Sequence, residues 1–403
     1  MHATYVPSMK TQILATLFAA VFIAMLGIGV IIPVLPQFAV QLGAGGFALG
    51  VITAAFSLSR GLLQPLVGDW SDRRGRKRFI IIGLIIYGMV GLLVPLAQSV
   101  AHLVYIRILQ GMGAAMIVPV AMAYTSALAP PGQDGKYMGM MNASLFCGIG
   151  FGPVIGGVIA DRLGLGPVFY VMAMLSLGAL LLVLALLPPS QQSARPREIG
   201  ILKNMGHMFQ RKRSFGILLA RFASVLMIVP AMAFLPMIMA PWPNSTSTHM
   251  GIVMACRTLV NGVLQIPFGR LADRVDKKIL LLIGSICTSA ALFLIPSMAS
   301  FEAMLLAYLF LGCSEAVLWP VLGAYASEEG RNHFGHGAMM GVFNLAMSAG
   351  VFAGALFAGT STDHWGLTMA FHLIATANLL LTLPALAFIR RGEQEDHAGQ
   401  TQA

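Results

Sequence analysis

Apolar runs too long for a water-soluble fold recur along this sequence from its beginning to its end. They fall at roughly 12–36, 46–68, 79–98, 102–127, 136–160, 167–188, 214–240, 248–269, 279–299, 303–326, 336–360 and 367–389. A bilayer core is crossed by ~20 apolar residues in a helix, so the spacing predicts about twelve membrane spans. Only 10% of the 403 residues are charged and 57% are hydrophobic. A soluble domain carries about 25% charged residues, so a soluble fold is excluded. The net charge of +10 does not point to nucleic acid, because the bases sit in short loops and form no patch on a soluble surface. The expected fold class is all-α integral membrane.

Charge also sets direction. With both ends on one side, that side carries Lys10, the five bases from Arg73 to Arg78, Lys136, the bases between Arg195 and Arg213, Arg270, Arg274, Lys277, Lys278, Arg331, Arg390 and Arg391. The opposite loops carry Arg162 alone. Both termini are therefore expected in the cytoplasm. The apolar run near the N-terminus extends past Pro36 with no convincing cleavage site and reads as a first span. Short loops and the lack of a targeting extension suggest the cell inner membrane. A polar stretch from Pro188 to Ser214 divides the chain nearly in half. The domain reading is a six-helix bundle over 1–188, a cytoplasmic linker over 189–213, a second bundle over 214–390 and a disordered tail over 391–403. Glu393, Glu395 and Asp396 read as solvated parts of that tail. Cys147, Cys256, Cys287 and Cys313 lie in apolar runs without metal-ligand spacing and read as small buried hydrophobes.

The chain repeats itself. A shift of 201 places Gln64, Gly68, Asp72 and Gly83 on Gln265, Gly269, Asp273 and Gly284, and Gly111, Pro119, Tyr124 and Ser126 on Gly312, Pro320, Tyr325 and Ser327. A shift of 202 carries Gly139, Gly148, Gly152, Gly157, Asp161 and Gly164 onto Gly341, Gly350, Gly354, Gly359, Asp363 and Gly366. The expected architecture is two pseudo-symmetric six-helix halves related by an axis along the membrane normal, a plan that suits a carrier with a midplane site.

The motifs then resemble those of the major facilitator superfamily. GDWSDRRGRK, from Gly68 to Lys77, is similar to that family's G-x-L-a-D-r-x-G-r-k loop, with Trp70 in place of the usual Leu. The second copy keeps Gly269, Leu271, Asp273 and Arg274 but has Asp276 for the second glycine. RILQGMGAA, from Arg107, resembles the R-x-x-q-G-x-g-a-a motif of span four. Gly139, Gly148, Gly152-Pro153 and Gly156-Gly157 fit G-x8-G-x3-G-P-x2-G-G, the antiporter motif of the drug-exporting branches. LGIGVIIPVLPQF in span one also resembles the drug:proton antiporters, although residues 12–36 contain no acid. The resemblance implies a cytoplasmic latch at Gly68, Asp72, Arg76, Gly269 and Asp273. It also implies a tight seam between the halves at Gly148, Gly152, Pro153, Gly156 and Gly157. It places spans one, four, seven and ten around a cavity, where Met25, Tyr124, Trp319 and Tyr325 are candidate substrate contacts.

Charges in the hydrocarbon zone cost at least ~2.5–3.5 kcal/mol each and need a partner or a wet cavity. Arg60, Arg107, Arg221, Arg257 and Glu315 lie within spans. Arg221 and Arg107 are near enough to span ends to snorkel. Glu315 is the acid near midplane, roughly 20 Å deep at ~1.5 Å rise per residue. It is the candidate to carry a coupling proton or bind a cationic substrate, with Arg257 or Arg107 tuning it. No Gly-rich phosphate loop is present, so no cofactor is expected and a proton gradient is the expected energy source. The reading is a monomeric, non-enzymatic, proton-coupled exporter of small amphipathic or cationic organic compounds. Its partners are then the substrate, protons and the lipid bilayer, with no nucleic acid. The alternatives are an exporter dedicated to one metabolite (a sugar, siderophore or lipid-linked molecule) and a non-transporting receptor on the same fold.

Overall fold

The computed structural model describes residues 7–129, 133–188, 201–272 and 274–401. Asp273 of the expected latch and residues 189–200 of the expected linker lie outside the described residues. Among the described residues, 12 helices are long and apolar enough to cross a membrane. They are span 1 (Lys10–Gln41), span 2 (Gly46–Gly68), span 3 (Arg76–Leu96), span 4 (Val100–Leu128), span 5 (Lys136–Leu163) and span 6 (Leu165–Leu186). The second set is span 7 (Lys212–Ala233), span 8 (Ser247–Ala272), span 9 (Lys277–Ser297), span 10 (Phe301–Phe334), span 11 (Ala338–Trp365) and span 12 (Leu367–Asp396). The all-helical membrane fold predicted from the apolar windows is what the structure shows.

Local chemistry ends these helices in the same way in both repeats. Ser99 accepts a hydrogen bond from the His102 amide at the start of span 4, and Ser300 accepts one from the Ala303 amide at the start of span 10. Each satisfies an amide that the first helical turn leaves without a partner. Val94–Leu96 and Ile295–Ser297, each with a central proline, tighten into 3-10 turns just before those caps. Gly164 and Gly366 take φ of 89° and 85° between spans 5 and 6 and between spans 11 and 12. Side chains rarely adopt that conformation, so glycine is required there. Proline breaks span 1 between Ile31 and Val34, because Pro33 has no N–H to continue the ladder. Span 7 breaks after Val225, before a segment that contains Pro230.

Stripes of large apolar side chains face outward: Leu58, Leu62 and Leu66 on span 2, Ile82, Ile85 and Met89 on span 3, Leu177, Leu181 and Leu184 on span 6. Spacings of three and four place each stripe on one helix face. Lipid tails are as apolar as leucine, so such faces carry no penalty in a bilayer, and tight backbone packing must hold the helices together instead.

Packing divides the chain into two compact units. The first is Met1–Ala44, Leu58–Ala194 and Met239–Leu259. The second is Gly45–Ser57, Arg195–Ile238 and Val260–Ala403. These bounds depart from a division at the linker. The beginning of span 2 packs with the second repeat, and the beginning of span 8 packs with the first. The physical reason is a pair of carboxylate caps, described below. The tail also departs from expectation. The final helix runs without interruption over Leu367–Thr401, where disorder was expected from residue 391.

Candidate functional site

Glu315 is 1% exposed, on span 10 in the second unit. Asn261 of span 8 donates from Nδ2 to its Oε2 at 3.3 Å, and Gln265 Nε2 donates to Asn261 Oδ1 at 2.6 Å. One helical turn separates the two amides, so they line one face and form a polar file leading to the carboxyl. The sequence reading missed both partners, although Gln265 stood out as the repeat image of Gln64. Arg257 is 4% exposed and belongs to the part of span 8 in the first unit. Arg107 also lies in the first unit, where its Nη1 donates to Gln110 Oε1 at 2.5 Å.

Arg221 is buried and does not snorkel. Its guanidinium carbon lies 5.1 Å from the Trp319 ring centre and 4.8 Å from that of Phe343, and its Nη2 is 2.9 Å from Met347 Sδ. Aromatic faces attract a cation and shield it at this depth. Trp319 is therefore a contact of Arg221. The other cavity candidates are likewise placed by their neighbours. Met25 is 3% exposed and packs against Gly148. Tyr124 is buried and donates to the Pro188 carbonyl at 3.3 Å. Tyr325 lies under Arg213 and Lys277, whose charged groups are 5.9 Å and 5.5 Å from its ring centre. In this structure Met25 and Tyr124 make packing contacts and Tyr325 sits beneath two cations.

The two aspartates matched by the repeat perform the same task twice. In the first unit, Asp161 accepts from the Ser247 and Thr248 amides, both at 2.8 Å, and from Thr248 Oγ1 at 2.5 Å. In the second unit, Asp363 accepts from the Gly46 and Phe47 amides, both at 2.8 Å. Each carboxylate sits at the positive end of a helix dipole and satisfies two amides. Asp161→Ala is expected to cost about 1 kcal/mol, read as a lower Tm of the purified protein. Asp161→Asn, which still accepts, should lose less.

Close packing around these caps accounts for the glycines of span 5. A Cβ on Gly148 would lie 2.8 Å from the Met25 side chain, one on Gly152 would meet Gly29, and one on Gly156 would meet the Val30 carbonyl. All three neighbours belong to span 1. Gly157 instead abuts the Ser247 carbonyl of span 8, and the Pro153 carbonyl abuts Gly251. The motif therefore does not form a single seam between the repeats. One face closes on span 1 and the adjacent face on the start of span 8. In the second unit Gly350 and Gly354 close on span 7 in the same way.

At the basic loop, Asp72 is held by Arg76, with oxygen–nitrogen distances of 3.0 and 2.8 Å. A Cβ on Gly68 would meet nothing within 4 Å, and one on Gly269 only Pro320 at 3.8 Å. In this structure neither glycine is closely packed, and Asp72 is occupied locally by Arg76.

A charge cluster that the sequence reading did not anticipate closes the basic end of the second unit. Glu329 is fully buried. Its carboxylate accepts from Arg211 Nε at 2.6 Å, Ser214 Oγ at 2.6 Å and Arg213 Nη1 at 3.2 Å. Arg211 also reaches Asp396 at 2.6 Å, Lys278 reaches Glu393 at 2.7 Å, and Lys212 pairs with Glu395. Glu393 and Asp396 are therefore half-buried structural partners, while Glu395 keeps its exposure within its pair.

Comparison with known proteins agrees with this architecture. The family model described as Major Facilitator Superfamily matches residues 17–239 and 214–403. An MFS-type transporter of Methanocaldococcus jannaschii is 27% identical over 374 residues, covering 92% of this chain and 96% of the relative. Multidrug resistance protein 2 of Bacillus subtilis is 28% identical over 346 residues, covering 82% and 84%. Among solved structures, the nucleoside transporter NupG superposes with a TM-score of 0.77 at 14% identity, over 94% of this chain and 99% of that one. That likeness speaks to the fold alone. Two repeats of six spans, the motifs and these matches lead to one conclusion: the chain belongs to the Major Facilitator Superfamily, a multi-pass membrane transporter of small molecules.

Proposed function

We propose that the protein exports small amphipathic or cationic organic compounds by alternating access, driven by the proton gradient. The observation that carries this reading is the Glu315 carboxyl, 1% exposed on span 10 and reached through the Asn261–Gln265 file. An acid at this depth can load and unload a proton as its surroundings change from wet to dry. The amides give the proton a polar route to the carboxyl. The likeness to multidrug resistance protein 2 of Bacillus subtilis supports efflux of varied compounds. Arg107 and Arg257 act as charges that tune the cycle. Gly68, Asp72, Arg76 and Gly269 form the latch of the state in which the basic side is closed, and the Asp161 and Asp363 caps belong to the opposite state. The protein works as a monomer in the inner membrane with both termini cytoplasmic.

The test is a growth-inhibition and dye-efflux screen in a pump-deficient host, followed by proton release from vesicles on addition of a compound that scores. Wild-type protein should release protons in a substrate-dependent way. Glu315→Gln should bind the compound but lose gradient-driven accumulation and its dependence on pH. An unaltered pH profile in Glu315→Gln removes the coupling role from this residue.

A further inference from the structure

We infer that the first unit contains a binding site for an anionic group, built by Arg60, Gln64, Tyr87, Arg107 and Gln110. The proposal deepens the reading of an exporter of amphipathic organic compounds and rests on it. It assigns those compounds an acidic polar group, a carboxylate or a group of similar charge, so that amphipathic acids and zwitterions are preferred over purely cationic molecules.

The site is assembled from three helices of one unit. Arg60 and Gln64 lie one turn apart on span 2, Tyr87 is on span 3, and Arg107 and Gln110 lie one turn apart on span 4. Span 3 closes on span 4 here, since a Cβ on Gly113 would lie 3.0 Å from the Tyr87 ring. Both guanidiniums are near enough to act electrostatically on the Tyr87 hydroxyl. Tyr87 and Gln110 are 0% and 1% exposed. Arg60 is half-buried.

The pattern of hydrogen bonding indicates the ligand. Arg60 Nε, Gln64 Oε1, Tyr87 Oη and Gln110 Nε2 are sealed from solvent and make no hydrogen bond to any described residue. A polar group buried in that condition costs about 1–3 kcal/mol, so four together mark a place prepared for something else. The Gln110 carbonyl is taken by Arg107, which leaves its amide group as a donor. Arg60 Nε and the Tyr87 hydroxyl are donors too. A donor-rich cluster with two guanidiniums suits the oxygens of an anion.

By sequence, the acids of the first unit fall outside the middle of its spans. Its acids are Asp69, Asp72, Asp134 and Asp161, all at helix ends. Asp72 is held by Arg76 and Asp161 by the span 8 amides. The repeat sharpens the contrast. The shift of 201 carries Arg60 onto Asn261 and Gln64 onto Gln265, and in the second unit that pair serves the carboxyl of Glu315. Where one unit carries an acid with amides, the other carries bases with amides.

The test uses purified full-length protein in lipid nanodiscs and calorimetric binding of three matched probes: 1-naphthoate, 1-naphthamide and a naphthylmethyl-trimethylammonium salt. Naphthoate should bind at least ~10-fold more tightly than the amide, a factor that a charge-assisted pair supplies. Arg60→Gln should erase that preference, Arg60→Lys should retain part of it, and Tyr87→Phe should reduce it while the protein stays monodisperse. Equal binding of acid and amide, tighter binding of the ammonium probe, binding of none of the three, or a preference unchanged in Arg60→Gln overturns the proposal. Proton release driven by a cationic dye and lost in Glu315→Gln is read separately. Proton-coupled export can therefore hold while this site fails, and the reverse result is equally visible.

Discussion

Gly156→Ala is expected to yield no working transporter. The added Cβ would be driven into the Val30 carbonyl, a backbone atom that cannot rotate away. Spans 1 and 5 would have to separate along the line where Gly29, Gly152 and Gly148 also meet the opposing helix, so the strain has no soft neighbour to absorb it. Overpacking costs roughly 1–3 kcal/mol in soluble cores, and in a bilayer little else holds two helices together. The measurement is the yield of monodisperse protein by size-exclusion chromatography together with efflux of a scoring compound, and both should collapse. Gly139→Ala is the control within the same motif. A Cβ there meets nothing within 4 Å, and yield and efflux should remain at the wild-type level. Equal behaviour of the two variants would mean that the motif is not held by contact with span 1.

Glu329→Ala should produce the next largest loss. This carboxylate is fully buried and accepts from Arg211, Arg213 and Ser214 at once. Arg213 is itself buried and is left with Glu328 at 3.2 Å. Removing one member of a buried ion pair costs ~3–5 kcal/mol, mostly because the remaining charge is stranded. The expected result is a steep fall in Tm of the purified protein. Lys212→Ala, at the exposed pair with Glu395, should change Tm little, because pairs of that kind contribute ~0–1 kcal/mol. A small effect at Glu329 would show that Asp396 and Glu328 suffice to neutralise the two arginines.

The spans were legible because length and apolarity are properties of a window, and crossing a bilayer requires both. The repeat was legible through Gly, Pro, Tyr and Asp, which recur at a fixed shift far less readily than Leu or Val. The match of Asp161 with Asp363 carried information about the caps, yet a pair of identical letters does not say which amides they meet. The azimuth of each helix was not legible. A span that is apolar all round presents no stripe from which an inward face can be inferred. The residue types of Met25, Tyr124 and Tyr325 therefore do not say which neighbour each side chain meets, and the structure places each against one in its own unit. Asn261 escaped notice for the same reason: its partner, Glu315, lies 54 positions away on another span. The pairing of the tail acids was not legible because their partners, Lys278, Lys212 and Arg211, belong to segments more than 100 positions earlier.

The carboxylate caps also provide a built-in spectroscopic handle. Ser247 and Thr248 on one side, and Gly46 and Phe47 on the other, give up their amide hydrogens to solvent deuterium only when Asp161 or Asp363 lets go. Four backbone sites, none of them carrying a label or a substitution, would thus report by mass spectrometry how often each helix start comes undone, and whether a bound compound or a pH step changes the two rates together or one at a time.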